Sequence, residues 1–132
     1  MIEVIESYRR EPWLSIFQNL PRMAYLSFLR HAAVLVGNSS SGIIEAPSFH
    51  LPVVNIGTRQ AGRERSTNVI DAPPLRNEIR EAIRLALTDE DFRARTKICQ
   101  NPYGDGQASA RVVDVLRKLE ITPQLLQKQL AY

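Results

Sequence analysis

The sequence is poor in the residues that build cross-links and metal centres. Cys99 is the single cysteine in 132 residues, so no internal disulfide and no thiolate metal site can form. The two histidines, His31 and His50, lie far apart with no ligand spacing between them, and neither a metal nor a cofactor enters the reading. No apolar run approaches the roughly 20 residues of a bilayer-spanning helix, and the N-terminus lacks a signal-peptide core. A membrane partner is therefore not expected, the Asn38-Ser39-Ser40 sequon carries no weight, and the chain reads as cytoplasmic. Clustered charge is missing too. Its 17 basic residues are spread among 14 acids, for a net charge of +3, without the stripe a nucleic-acid binder needs. This mild excess suits an anionic small ligand, although a solvated surface of mixed charge explains most of it. Repeats, low-complexity tracts and linkers are also lacking, which leaves residues 1–132 as a single domain with a modest core.

What is present is an alternation of short apolar runs and amphipathic stretches. Residues 1–11 resemble the tail of a truncated helix, with Met1, Ile5 and Tyr8 on one face and no N-cap. Leu14 to Asn19 is predicted as a short strand, with Leu14 and Ile16 sharing a face. Pro21 fits a first helical position, and Tyr25, Leu26, Phe28 and Leu29 continue that helix to about Arg30. The unbroken runs Ala32–Val36 and Val53–Ile56, each followed by glycine, predict parallel strands buried on both faces. Between them a short helix from Gly42 to Phe49, disturbed by Pro47, completes a βαβ unit. Val69-Ile70 reads as an edge strand, and Leu75 to Ala86 as an amphipathic helix. A helix over Asp89–Arg95 carries Asp89–Arg93 and Asp91–Arg95 pairs. The helix Ala108–Leu119 is expected to bury Val112, Val113, Leu116 and Leu119. Thr122-Pro123 starts a last helix, 122–131, bearing Leu125, Leu126 and Leu130. The fold class is α/β, a Rossmann-like doubly wound parallel sheet.

The stretch richest in chemistry is Gly37-Asn38-Ser39-Ser40-Ser41-Gly42, at the carboxyl end of one strand. Ligands of open α/β sheets bind at that edge. Free amides and the start of a helix attract phosphate there, the two glycines allow close approach, and three serines add hydroxyls. Two other phosphate loops are excluded. Ile43 and Ile44 stand where a P-loop needs Lys and Ser/Thr, and Gly104-Asp105-Gly106 has no strand before it and Ser109 at its third glycine. A plain helix cap explains the serine turn about as well as a ligand site does. Glu45, four residues beyond Ser41, can accept hydrogen bonds from a ribose diol; a first-turn acid stabilising its helix is the alternative. Arg59, Arg63 and Arg65 follow the next strand and place cations on the same edge. Arg59 is nearest the strand end and best suited to a forked contact.

These segments, Gly37–Phe49, Pro52–Gln60 with Gly62-Arg63, and Asn101–Gly106, resemble the hydrolysing UDP-N-acetylglucosamine 2-epimerases over roughly Leu20 to Leu119. The resemblance implies the C-terminal portion of the second domain of a glycosyltransferase-B-like fold. It implies a parent reaction in which UDP-N-acetylglucosamine and water give N-acetylmannosamine and UDP, through elimination of UDP to a glycal and readdition of water. By the same carry-over Ser39, Ser40, Glu45 and Arg59, with Asn38, Gly42 and backbone near Leu20, hold UDP or a UDP-N-acetylhexosamine. The family's acid–base carboxylates and catalytic histidine have no match here. The chain is thus expected to need a completing N-terminal domain, to self-associate, and to be inactive alone. The nucleotide-sugar half of a split glycosyltransferase and a non-catalytic remnant are the alternatives. Glu3, Glu6, Gln18 and Asn19 upstream of the cradle do not suit feedback by a sialic-acid nucleotide, and His50 stands where the family often has glycine.

Overall fold

The structure is a computed structural model describing residues 2–127, the side chains of Ile2 and Gln124 apart. Helices α1 (Ile2–Ser7) and α2 (Arg22–His31) lead into strand β1 (Leu35–Gly37). Helix α3 (Ser41–Ile44) and a 3-10 turn (Ala46–Phe49) then lead to β2 (Val53–Ile56) and β3 (Val69–Ala72). Helices α4 (Arg76–Thr88), α5 (Glu90–Lys97), α6 (Ala108–Lys118) and α7 (Pro123–Leu126) follow. The sheet order is β1-β2-β3, parallel at both junctions, with Leu35 opposite Val53 and Val53 opposite Val69.

Strand periodicity makes the two layers around the sheet. Successive residues of β2 point to opposite faces. Val53 joins Leu29, Ala46 and Leu51 under α2 and the 3-10 turn, while Val54 joins Ala72, Ala82, Ala86 and Phe92 under α4 and α5. Every α4 residue in that second cluster falls on one helical face, as the spacing of Ile79, Ala82, Ile83 and Ala86 requires. The arrangement is a doubly wound α/β layer structure, and β2 is buried on both sides as expected. Pro47 ends the α-helical path after Ile44 and the chain tightens into the 3-10 turn. Thr122 caps α7 by accepting from the Leu125 amide.

Several expectations are corrected. Leu14–Asn19 is not a strand, because no strand among the described residues lies beside it. Its Phe17 ring instead packs on Phe28 of α2, with centroids 5.7 Å apart. Pro21 is the residue before α2 rather than its first turn. The predicted strand 32–36 begins only at Leu35, since Ala32 still closes α2 by donating its amide to the Phe28 carbonyl. β1 is an edge strand with Val36 exposed, so the two-sided burial inferred from its apolar run holds for β2 and not for β1. The Asp89–Arg93 and Asp91–Arg95 ion pairs do not form. Asp89 caps α5 through the Phe92 amide, and Arg93 donates to the Leu87 carbonyl oxygen.

The largest departure is α6. Val112, Val113, Leu116 and Leu119, expected to be buried, are all exposed, and Val115 with them. Its periodicity is correct for a packed helix, but no described element covers that face. The helix start is held by Arg111, which clamps Asp105 and lowers its carboxyl pKa to about 2. Met1 and Leu130 lie outside the described residues.

Candidate functional site: the carboxyl ends of the strands

The loops after β1 and β2 meet at one edge of the sheet. Asn38 and Ser39 are exposed and Ser40 is half-buried, whereas Ser41, Gly42 and Ile43 are buried. This sorts the serines. Ser41 turns inward and its hydroxyl accepts from Tyr25 of α2 at 2.7 Å, so it is a packing residue, not the ligand donor expected. The hydroxyl of Ser40 has no protein partner among the described residues, and Ser39 Oγ accepts only a long contact of 3.3 Å from the Ser41 amide.

The amides are also sorted, against the expectation of a wholly free first turn. Gly42 N–H donates to the Ser39 carbonyl oxygen at 3.2 Å, and Ile43 N–H to that of Ser40 at 3.0 Å. The amides of Ser39 and Ser40 have no acceptor among the described residues. With one α-turn in α3, the aligned peptide dipoles are few, so hydroxyls and loop amides carry more of any anion contact than the helix does. Gly42 has a packing reason to be glycine: a Cβ there would lie 2.9 Å from Val53 Cγ1.

Glu45 closes α3 and stands at the N-cap of the 3-10 turn that follows, without a side-chain cap hydrogen bond, so the helix-start explanation for its charge passes from α3 to that turn. It is half-buried, and its carboxylate has no hydrogen-bond partner among the described residues. Arg59 is exposed and without a protein partner there, while Arg65 is engaged: Nη2 donates to the Gln60 carbonyl oxygen at 2.8 Å and Nη1 pairs with Asp71. Asp71 in turn accepts from Asn55 Nδ2 of β2 at 2.7 Å. Gln60 Nε2 donates to the Asn38 carbonyl oxygen at 2.8 Å. One polar chain thus stitches the ends of β1, β2 and β3 together. Leu20 lies in the segment before α2, half-buried, and no hydrogen bond joins it to these loops.

An open cleft of about 370 Å³ beside the polar chain is lined by Gly57, Thr58, Ala61, Arg65, Asp71 and Pro73. Another cavity, of about 570 Å³, shares Arg65 with it and lies between residues 64–67 and 98–102. His50 sits at the opposite edge of the sheet, before β2, in a left-handed conformation with φ 50°. That backbone explains why glycine would suit its position.

Three residues that do positional work were given no role by sequence reasoning. Gln60 and Tyr25 are described above. Asn101 is the third. Its Nδ2 donates to the Ile44 carbonyl oxygen at 2.8 Å and to Ser48 Oγ, and its Oδ1 accepts from the Tyr103 amide, so the Asn101–Gly106 stretch straps the segment bearing Glu45. An Asn before Pro is a turn signal, but its long-range partner was not readable.

Parallel strands with two facing loops at their carboxyl ends, carrying a hydroxyl and a guanidinium without partners among the described residues, define a Rossmann-like α/β domain with its candidate site at that edge. The chain belongs to the UDP-N-acetylglucosamine 2-epimerase family, whose profile matches residues 1–117, a longer stretch toward the N-terminus than the motifs alone cover. It is 42% identical over 130 residues to UDP-N,N'-diacetylbacillosamine 2-epimerase (hydrolyzing) of Legionella pneumophila, covering 98% of this chain and 33% of that protein. It is 43% identical over 72 residues to GDP/UDP-N,N'-diacetylbacillosamine 2-epimerase (hydrolyzing) of Campylobacter jejuni, covering 53% and 19%. Over 93 residues it is 39% identical to polysialic acid biosynthesis protein P7 of Escherichia coli, covering 70% and 24%. The chain spans a third or less of the length of each of these relatives. No helix among the described residues is long and apolar enough to cross a membrane.

Proposed function

We propose that this chain is the UDP-holding part of a hydrolysing nucleotide-sugar 2-epimerase. In the proposed reaction a UDP-N-acetylhexosamine and water give the 2-epimeric N-acetylhexosamine and UDP. Ser39 and Ser40 contact the diphosphate, Glu45 accepts hydrogen bonds from the ribose hydroxyls, and Arg59 neutralises phosphate charge, with Asn38, Gly42 and backbone near Leu20 shaping the site. The observation that carries this reading is the meeting at one sheet edge, through Gln60 and Asn38, of the loop with the unpaired Ser39 and Ser40 amides and the loop with Arg59, whose guanidinium has no partner among the described residues, in a member of this family.

The chemistry at the sugar is assigned to residues outside these 132. The described ionisable side chains of the α3 segment, the loop after β2 and β3 include Glu45, Arg59, Arg63, Glu64, Arg65 and Asp71. Arg65 and Asp71 are paired with each other, and His50 is at the far edge. Two of the three relatives above are named 2-epimerases, which favours this reading over half of a split glycosyltransferase.

Isothermal titration with UDP tests the site. Ser40→Ala and Glu45→Ala are each expected to weaken binding by about threefold to tenfold, the range of one hydrogen bond to a neutral or charged partner. Undiminished affinity in both variants would discard the assignment.

The exposed apolar face of α6 and the open edge of β1 support a second part of the proposal. A completing N-terminal domain, or another copy of the chain, covers them. Unpaired strand edges and large apolar patches drive association. Light scattering at micromolar concentration is accordingly expected to give a mass above that of one 15.0 kDa chain. A monodisperse monomer would count against this.

A further inference from the structure

Gln60 is out of character for its loop. Thr58, Arg59, Ala61 and Gly62 around it are exposed, yet Gln60 is 2% exposed. Nε2 reaches from the loop after β2 to the Asn38 carbonyl oxygen in the loop after β1. Oε1 is buried and has no donor among the described residues. A buried acceptor left unmet costs more than one net hydrogen bond returns. On stability alone, an unbranched apolar side chain would serve this position at least as well.

The bond has a second effect. The carbonyl of Asn38 and the N–H of Ser39 belong to one planar trans peptide, in which they point in opposite directions. Holding the carbonyl against buried Gln60 therefore turns the Ser39 N–H away from Gln60, where it has no acceptor among the described residues. Gln60 is itself anchored through its backbone, whose carbonyl accepts from Arg65, which is fixed in turn by Asp71 and through it by Asn55.

We infer that Gln60 is a positioning residue for nucleotide binding. It sets the plane of the Asn38–Ser39 peptide so that the Ser39 N–H is presented to a phosphate oxygen. This deepens, and rests on, the UDP-binding reading above. The side chain acts through that peptide and does not itself touch the nucleotide.

Two variants separate this role from ordinary packing. Gln60→Met keeps the length and bulk of the side chain but cannot donate. It is expected to unfold at the wild-type temperature while binding UDP roughly tenfold more weakly in isothermal titration, the worth of one misaimed N–H to phosphate contact. Gln60→Glu keeps the shape. Its ionised carboxylate cannot donate at pH 8, but protonation restores an O–H in the place of Nε2, and burial moves that protonation upward from the usual carboxylate range. The wild-type-to-variant ratio of UDP affinities is expected to shrink between pH 8 and pH 5; taking the ratio cancels the titration of the UDP phosphate itself. Wild-type affinity in Gln60→Met, or a Gln60→Glu ratio unchanged across that range, overturns the inference and leaves the UDP reading standing. A wild-type chain that binds no UDP overturns both.

Discussion

Arg59→Ala is expected to weaken UDP binding by roughly 10- to 100-fold and to leave thermal unfolding where it was, the range for losing one forked, charge-assisted contact. The geometry separates these two effects. Arg59 is exposed and makes no contact with protein acceptors among the described residues, so removing it frees no buried partner. Arg65, six residues on, is the built-in contrast. Its guanidinium holds the Gln60 carbonyl and Asp71, and Arg65→Ala would break the Asp71 pair and leave the Gln60 carbonyl with only the long 3.4 Å bond from the Arg63 amide. Titration calorimetry on both variants, with thermal melts alongside, checks the pair. An Arg59→Ala protein that binds UDP like the wild type would remove this cation from the site.

The second large effect is on stability. Gly42→Ala places a methyl group 2.9 Å from Val53 Cγ1. Val53 cannot step aside easily: it is 2% exposed, β-branched, and paired in the central strand. Overpacking of this kind costs about 1–3 kcal/mol, visible as a lower urea midpoint with an unchanged slope. Val53→Ala in the same chain should return part of that loss, because it removes the clashing methyl groups at the cost of a small cavity. Equal stability of Gly42→Ala and wild type would show that α3 can move off β2. A shift of α3 would then be expected to disturb UDP binding as well, since Ser39 and Ser40 stand at its start.

The layers of the fold were legible where burial and periodicity speak together. Val53–Ile56 is a strand with the expected bounds, and Ile79, Ala82, Ile83 and Ala86 form the expected helical face. They failed where a pattern needs a partner that these residues do not supply. Leu14 and Ile16 alternate like a strand, yet no ladder lies beside them among the described residues. Val112, Val113, Leu116 and Leu119 form a helix's packing stripe with nothing packed on it among the described residues. Periodicity reports which face wants burial; it does not report what covers it.

The candidate site was legible as a position on the sheet and less so as a set of roles. Small residues after one strand and cations after the next pointed to one edge, and the structure brings those loops together through Gln60 and Asn38. Which of three serines faces out depends on Tyr25, sixteen residues earlier in the chain. Which of the arginines is free depends on Asp71 and the backbone of Gln60. Such divisions of labour come from long-range partners, and local spacing carries no record of them. Gly42 illustrates the same point: glycine there reads as room for a ligand, while its neighbour in space is Val53.

The central claim is a location, and amide chemical shifts followed during UDP titration test it most directly. Perturbations are expected to centre on residues 38–45 and 57–63, with the Ser39 and Ser40 amides moving furthest. Shifts centred instead on Ser66, Thr67 and Ile98–Asn101, around the 570 Å³ cavity, or a spectrum that UDP leaves unchanged, would contradict it.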